Sequence, residues 1–161
     1  MHIPAGKVLI AYATKCGVTK EYADIIASVL REKHRLEVDV VDLREEPRPD
    51  VRPYDAVLVG SGIQIGMWYG PAKRMLGRAK GKRMAIFLAS GRAGRPEEHA
   101  FAMERYLARV IRRKGLSPIA AEAFGGRADR EGVVSLDNRE PDRVRLWADE
   151  VGRKLEAWEQ G

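Results

Sequence analysis

The sequence is poor in several residue types on which common protein functions depend. Its 161 residues contain one cysteine, Cys16, so no disulfide can form within the chain. The three histidines, His2, His34 and His99, stand far apart and match no metal-ligand spacing, so we expect no metal site. The apolar runs are only strand-length, and the chain starts without the basic and apolar regions of a signal peptide. We therefore expect a cytoplasmic protein without integral membrane contact.

Two common nucleotide-binding motifs are also absent. The chain has no G-x-x-x-x-G-K-[ST], which argues against a P-loop ATPase. It has no G-x-G-x-x-G at its first strand-to-helix turn, which argues against a Rossmann dinucleotide site. A phosphorylated ligand, if there is one, is therefore expected to be a small mononucleotide.

The charge balance is basic. The chain has 29 Lys and Arg against 23 Asp and Glu, a net charge of +6, which favours acidic ligands or surfaces. The only compact basic cluster, Arg112-Arg113-Lys114, falls at the end of a predicted helix, where cations suit the helix dipole. Contact with nucleic acid is the alternative interpretation of this cluster, and we expect no nucleic-acid partner.

Short apolar runs alternate with amphipathic stretches along the chain. This alternation predicts an α/β fold: a doubly wound, five-stranded parallel sheet with helices on both faces, in one domain over residues 1–161. Trp147 and Trp158 lie on the apolar face of the last predicted helix and are expected in the core. The predicted strands are 7–12, 36–42, 56–60, 84–89 and 117–124, and the main helices follow Thr19, begin near Pro71, and cover 97–114 and 141–158.

The loop after the first predicted strand, Ala13 to Thr19, has the composition of a phosphate cradle. Hydroxyls of Thr14 and Thr19 can donate to an anion, Gly17 lets the backbone approach it, and Lys15 adds positive charge. Thr19 is also the expected N-cap of the following helix, whose free N–H groups favour anions. An ordinary strand-to-helix turn is the alternative, and Cys16 is either a reactive thiolate or a small spectator residue.

Two further loops are rich in glycine and polar residues, and both follow predicted buried strands. The second runs from Ser61 to Gly70 and the third from Ser90 to Pro96. Trp68 or Tyr69 can stack on a planar ring, or can anchor the loop structurally. Arg92 and Arg95 either lie in solvent or meet an anion.

Together these loops resemble a known family. The T-x-x-G-x-T of Thr14, Gly17 and Thr19 is similar to the phosphate loop of flavodoxins. All three loops together resemble the flavodoxin branch that contains the menaquinone-dependent protoporphyrinogen oxidases. The resemblance implies strand order 2-1-3-4-5 and FMN as cofactor. By the same resemblance, the residues holding FMN are Thr14, Lys15, Cys16, Gly17, Val18 and Thr19 at the phosphate, and Ser61, Gly62, Ile63, Gln64, Ile65, Gly66, Trp68, Tyr69, Ser90, Gly91, Arg92 and Gly94 around the ring.

The implied function is electron transfer, or an oxidoreductase reaction, in which the flavin carries the chemistry and no side chain is catalytic. The partner is expected to be a redox protein or a small anionic substrate; the oligomeric state is left open. The alternative is a cofactor-free binding or regulatory module that uses the same loops for another phosphorylated ligand.

Overall fold

The structure, a computed structural model, describes residues 6–130 and 132–160. None of the helices in these residues is long and apolar enough to cross a membrane. The elements in chain order are β1 (Lys7–Ala13), α1 (Val18–His34), β2 (Glu37–Asp42), β3 (Ala56–Gln64), β4 (Met67–Trp68), α2 (Gly70–Arg78), β5 (Arg83–Ala89), α3 (His99–Ala102), a π-helical segment (Met103–Ala108), α4 (Arg109–Lys114), β6 (Ala120–Phe124), β7 (Arg127–Arg130), β8 (Val133–Asp137) and α5 (Pro141–Gln160).

Five of the strands form one parallel sheet in the order β2-β1-β3-β5-β6. Counted among the parallel strands alone, this is 2-1-3-4-5, so the predicted order is confirmed. The short β4 pairs antiparallel with the end of β3, and β7 pairs with β8 in a separate two-stranded sheet.

Helices cover both faces of the sheet, as the continuous burial of β1 requires. Helices α1 and α5 pack on the face that contains Val8 and Ile10. Helix α2 and the helical stretch of residues 99–114 pack on the face that contains Leu9 and Ala11. Trp147 is 7% exposed and belongs to the first of these cores, whereas the side chain of Trp158 lies outside the described residues.

Several predicted boundaries are wrong. Strand β3 continues to Gln64, because Ser61 and Gly62 extend the ladder with β5 instead of leaving it as a loop. The predicted helix of residues 97–114 begins at His99 and contains the π-helical segment. The last parallel strand begins at Ala120, not at Ser117.

The N-cap of α1 also differs from the prediction. Gly17 occupies the cap position with φ 86°, a left-handed conformation that glycine adopts without strain, and Thr19 lies inside the first turn of the helix. The Thr19 hydroxyl is therefore not used to cap the helix.

Candidate functional site

The carboxyl ends of β1, β3 and β5 meet at one edge of the sheet. Ala13 is in register with Ser61, and Gly62 with Ala89, so the three polar loops of the sequence become neighbours. A cavity of about 120 Å³ lies between them. It is lined by the predicted site residues Thr14, Cys16, Gly62, Ile63, Tyr69, Ser90 and Gly91, and also by Ala89, Gly126, Arg127, Ala128 and Leu136.

The first loop places an unpaired hydroxyl beside this cavity. Thr14 Oγ1 accepts a hydrogen bond of 3.0 Å from the Gly17 N–H, which closes the loop before α1 begins. Thr19 is fully buried, yet its Oγ1 has no hydrogen-bond partner within the described residues. Val18 is buried beside it, while Lys15 and Cys16 are exposed. Because buried polar groups are nearly always paired, the Thr19 hydroxyl indicates a place for a ligand atom.

Tyr69 connects the second loop to the first. A Cβ placed on Gly62 would lie 2.9 Å from Cε2 of Tyr69, so the ring packs directly on that glycine. Burial raises the pKa of the Tyr69 phenol, and the backbone N–H of Lys15 in the first loop opposes this rise. Ser61 is buried beneath the loop, where its Oγ accepts the Tyr69 N–H at 3.2 Å.

Trp68 points away from the cavity, although it neighbours Tyr69 in sequence. Its indole Nε1 donates to the Tyr106 carbonyl at 2.7 Å, which fixes the side chain on the opposite side of the β3–β4 hairpin. The hairpin tip, with Gln64, Ile65 and Gly66, also lies outside the cavity. Of the two aromatic residues suggested for ring stacking, Tyr69 alone is brought to the shared site.

The tip of this hairpin is a strained two-residue turn. Ile65 has φ 51° and Gly66 has φ 70°, the pair of positive angles typical of a type I′ turn. This conformation suits Gly66, but it is an outlier for a β-branched residue such as Ile65. The Ile65 side chain is 90% exposed, so packing does not compensate for the strain.

The third loop contributes its first two residues to the cavity. Ser90 is buried and its Oγ accepts the Arg92 N–H at 3.2 Å. The Arg92 guanidinium turns outward and lies 5.0 Å from the centre of the Phe101 ring. Gly94 packs against the Asn138 side chain, outside the cavity. Arg92 and Gly94 are therefore not brought together with the other predicted site residues.

The hairpin of β7 and β8, which covers the ring end of the cavity, is absent from the sequence prediction. Leu136 packs so closely on Gly91 that a Cβ there would collide with it. Asn138 Nδ2 donates to the Gly91 carbonyl at 2.8 Å, while its Oδ1 accepts the Gly126 N–H at 2.9 Å. The polar composition of residues 127–137 conceals this element, and the turn glycine Gly132, with φ 79°, is the one local signal for it.

Ion pairs fix the end of this hairpin to α1. Arg139 contacts Asp137 at 2.6 Å and Glu21 of α1 at 3.1 Å. Hydrogen bonding from Arg139 lowers the pKa of Asp137 to about 2. The cover over the cavity is thus attached to the same helix whose first turn contains Thr19.

Two of the three histidines have structural partners. His34 lies between Asp149 and Glu156, at 2.8 and 2.7 Å, and His99 bonds the Ala93 carbonyl at 2.8 Å. His2 lies outside the described residues. In residues 6–130 and 132–160, no three metal-binding side chains gather.

The two ends of the site suit FMN to different degrees. The phosphate end fits, because the first turn of α1 places free N–H groups and the unpaired Thr19 hydroxyl beside the Thr14 loop. The ring end is narrow, because 120 Å³ is well below the roughly 300–1,000 Å³ of small-molecule pockets. Tyr69 and Leu136 occupy part of this space, and a flavin ring requires these side chains to turn aside.

Known proteins resemble this chain in sequence. A flavodoxin from Aquifex aeolicus (strain VF5) is 32% identical over 59% of this chain and 56% of its own length, so the match spans little more than half of that relative. Protoporphyrinogen IX dehydrogenase [quinone] from Escherichia coli (strain K12) is 24% identical over 74% of this chain and 68% of that protein. These two relatives bear out the resemblance to flavodoxins and to the protoporphyrinogen oxidase branch.

A solved structure supports the fold. NAD(P)H:quinone oxidoreductase from Methanothermobacter marburgensis superposes with a TM-score of 0.64 at 15% identity, covering 94% of this chain and 96% of that one.

A family model described as "Flavodoxin domain" matches residues 9–139. Because this match covers most of the sequence, the chain belongs to the flavodoxin domain family.

Proposed function

We propose that this chain binds FMN at the edge formed by β1, β3 and β5 and uses it to transfer electrons. The observation that carries the proposal is the buried, unpaired Thr19 hydroxyl in the first turn of α1. Two of its relatives are, by name, a flavodoxin and a quinone-linked dehydrogenase, which are both redox proteins. A bound flavin would supply the electron chemistry.

The residues of the first loop would hold the phosphate. Thr19 and the backbone N–H groups at the start of α1 would donate hydrogen bonds to its oxygens, helped by the positive end of the helix dipole. Arg44 adds positive charge from β2's end, where its Nη1 donates to the Thr14 carbonyl at 2.9 Å. None of these groups needs to change its protonation state.

The ring would lie between the second and third loops. Gly62 and Gly91 present backbone without side chains, which lets a planar ring approach, and Tyr69 offers an aromatic face. The β7–β8 hairpin would cover the ring and limit its exposure to water. Arg127 of this hairpin lines the cavity and would place a cation near the ring.

We propose that the electrons pass to a redox protein or to a small anionic substrate, since the net charge of +6 favours negatively charged partners. Both electron carriers and oxidoreductases use this fold, and turnover on a quinone or porphyrin is one form that the reaction could take. The single cysteine agrees with a cytoplasmic location.

Cofactor titrations test the proposal. The purified protein should be yellow, and its apoprotein should bind FMN about a hundredfold more tightly than riboflavin, because two hydrogen bonds to a charged phosphate contribute about 3 kcal/mol. Equal affinity for the two flavins would contradict the assigned phosphate loop. A colourless protein that ignores added FMN would favour the cofactor-free module instead.

A further inference from the structure

A second cavity lies on the other side of the β3–β4 hairpin, away from the proposed cofactor site. It has a volume of about 300 Å³ and lies between the hairpin, α2 and the helical stretch of residues 99–114. Its cations are Lys73, Arg105, Arg109, Arg113 and Lys114, and no carboxylate among the described residues lines it. We refer to this cavity as the basic groove.

Three of these cations form a stripe along one side of the helix. Arg105, Arg109 and Arg113 follow one another at steps of four residues, over about 12 Å of helix length. Like charges at this spacing destabilise a helix. Repulsion from Arg113, and then from Arg105, lowers the pKa of Arg109. The stripe therefore lowers the folding stability of the protein when no anion is bound.

The arginines of this stripe differ from their neighbour Arg112 in having no acidic partner among the described residues. Arg112, on the neighbouring side of the same helix, forms an ion pair with Glu104. Within the described residues, no carboxylate lies within 4 Å of Arg105, Arg109 or Arg113 to offset their repulsion. Cations kept together without partners point to an anion that binds between them.

The remaining wall of the groove is apolar and unusually constructed. It contains Met67, Trp68, Tyr106 and Val110. Tyr106 belongs to the π-helical segment, and its carbonyl accepts the 2.7 Å hydrogen bond from the Trp68 indole. Segments of π-helix are rare and are frequent at functional sites. This one joins the helix to the hairpin and closes the groove.

We propose that the basic groove binds a small polyanion of the nucleotide type, with two or more phosphate charges beside a planar ring. Arginine forks match phosphate oxygens in pairs, and the stripe offers three forks in a row. Trp68, Tyr106 and Val110 offer an apolar surface for the ring. The cavity volume lies at the lower end of the roughly 300–1,000 Å³ of small-molecule pockets.

This site is independent of the proposed cofactor site. Tyr69 lines one cavity and Trp68 the other, so the hairpin stands between them. A failure to bind FMN would leave the basic groove intact, and the reverse also holds.

Calorimetric titrations with ADP, pyrophosphate and a 20-base-pair DNA duplex test the proposal. They use the full chain saturated with FMN, or the purified chain without cofactor if it does not bind FMN. ADP should bind one to one without displacing any flavin, and more tightly than pyrophosphate because the ring adds contacts. Arg109→Gln and Arg113→Gln should each weaken ADP binding at least tenfold. The matched control, Arg112→Gln, removes the same charge outside the groove and should change the affinity less than twofold.

Any of four results with ADP would overturn the proposal. They are no saturable binding of ADP, equal losses in Arg109→Gln and Arg112→Gln, equal affinity for ADP and pyrophosphate, and displacement of flavin by ADP. Tighter binding of the DNA duplex than of ADP would identify a nucleic-acid surface instead. Arg105→Gln should weaken ADP binding as Arg109→Gln and Arg113→Gln do. These three variants should keep or raise the melting temperature, because each relieves repulsion in the stripe.

Discussion

The unpaired hydroxyl of Thr19 faces Gly62 across the first two loops. A Cβ at residue 62 would lie 3.5 Å from Thr19 Oγ1 and 2.9 Å from the Tyr69 ring. Thr19 thus supplies a free donor, and the absence of a side chain at Gly62 leaves room for the Tyr69 ring beside it. The proposed phosphate site rests on the first of these features, and the predictions for residues 19 and 62 test it.

Thr19→Val should separate stability from cofactor binding. Valine keeps the shape of threonine but removes the unsatisfied hydroxyl, so the apoprotein should be as stable as the parent or about 1 kcal/mol more stable. The FMN dissociation constant should rise at least tenfold, because a hydrogen bond to a charged group is worth about 1.5–3 kcal/mol. Urea unfolding of the apoprotein and a fluorescence titration measure the two effects. An unchanged dissociation constant would remove Thr19 from the phosphate site.

Gly62→Ala should destabilise the protein by about 1–2 kcal/mol, because the added methyl group overpacks against Tyr69. It should also weaken FMN binding, since the methyl group enters the cavity. The matched control is Gly77→Ala in α2, where a Cβ would meet nothing within 4 Å. That variant should gain about 0.5–1 kcal/mol from helix propensity. Chemical denaturation gives the free energy of unfolding of both variants. If the two substitutions change it equally, residue 62 has room for a side chain.

Much of this architecture could be predicted from the sequence, because buried parallel strands leave continuous apolar runs. The strand order, however, came from the family resemblance. The positions of Thr14, Gly62 and Tyr69 around one cavity followed from placing three strand ends at the same edge of the sheet.

The errors have physical causes. Ser61 and Gly62 have low strand propensity, yet pairing with β5 keeps them in the ladder. The sequence predicts Thr19 as the helix cap as well as an anion donor, but Gly17 takes the cap position at no cost in strain. No sequence signal distinguishes the π-helical segment from an α-helix. The β7–β8 hairpin was missed because its side chains are too polar to show a core-facing pattern.

Ile65→Asn should stabilise the protein by about 1 kcal/mol, because asparagine adopts a positive φ more readily than a β-branched residue. The Ile65→Val control keeps the branching at Cβ and should leave stability within about 0.5 kcal/mol of the parent. Equilibrium unfolding in urea measures both. If asparagine and valine have the same effect, the strain at the hairpin tip is not what limits stability.

Asp137→Asn should make the protein less stable at neutral pH but not in strong acid. Arg139 lowers the pKa of Asp137 to about 2, below its ordinary value of 3.8, so its ion pair stabilises the folded state above that ordinary value. The contribution is lost as the pH falls from about 4 to 2 and the carboxylate becomes protonated. Unfolding free energies measured from pH 7 to 2 should therefore converge for parent and variant. A difference that stays constant over this range would show that Asp137 does not titrate with a lowered pKa.

Leu136→Ala should speed the association of FMN. Leu136 of β8 packs on Gly91 at the ring end of a cavity of only about 120 Å³, so a flavin ring can enter only after this side chain moves. Truncation removes that step and should raise the association rate several-fold, while the loss of packing should also raise the dissociation rate. Stopped-flow quenching of FMN fluorescence separates the two rates.

The control Val134→Ala changes an exposed residue of the same strand, 45% accessible, and should leave both rates unchanged. If the two variants bind FMN as fast as the parent, the hairpin does not restrict entry, and the ring must reach the site between Tyr69 and the first loop.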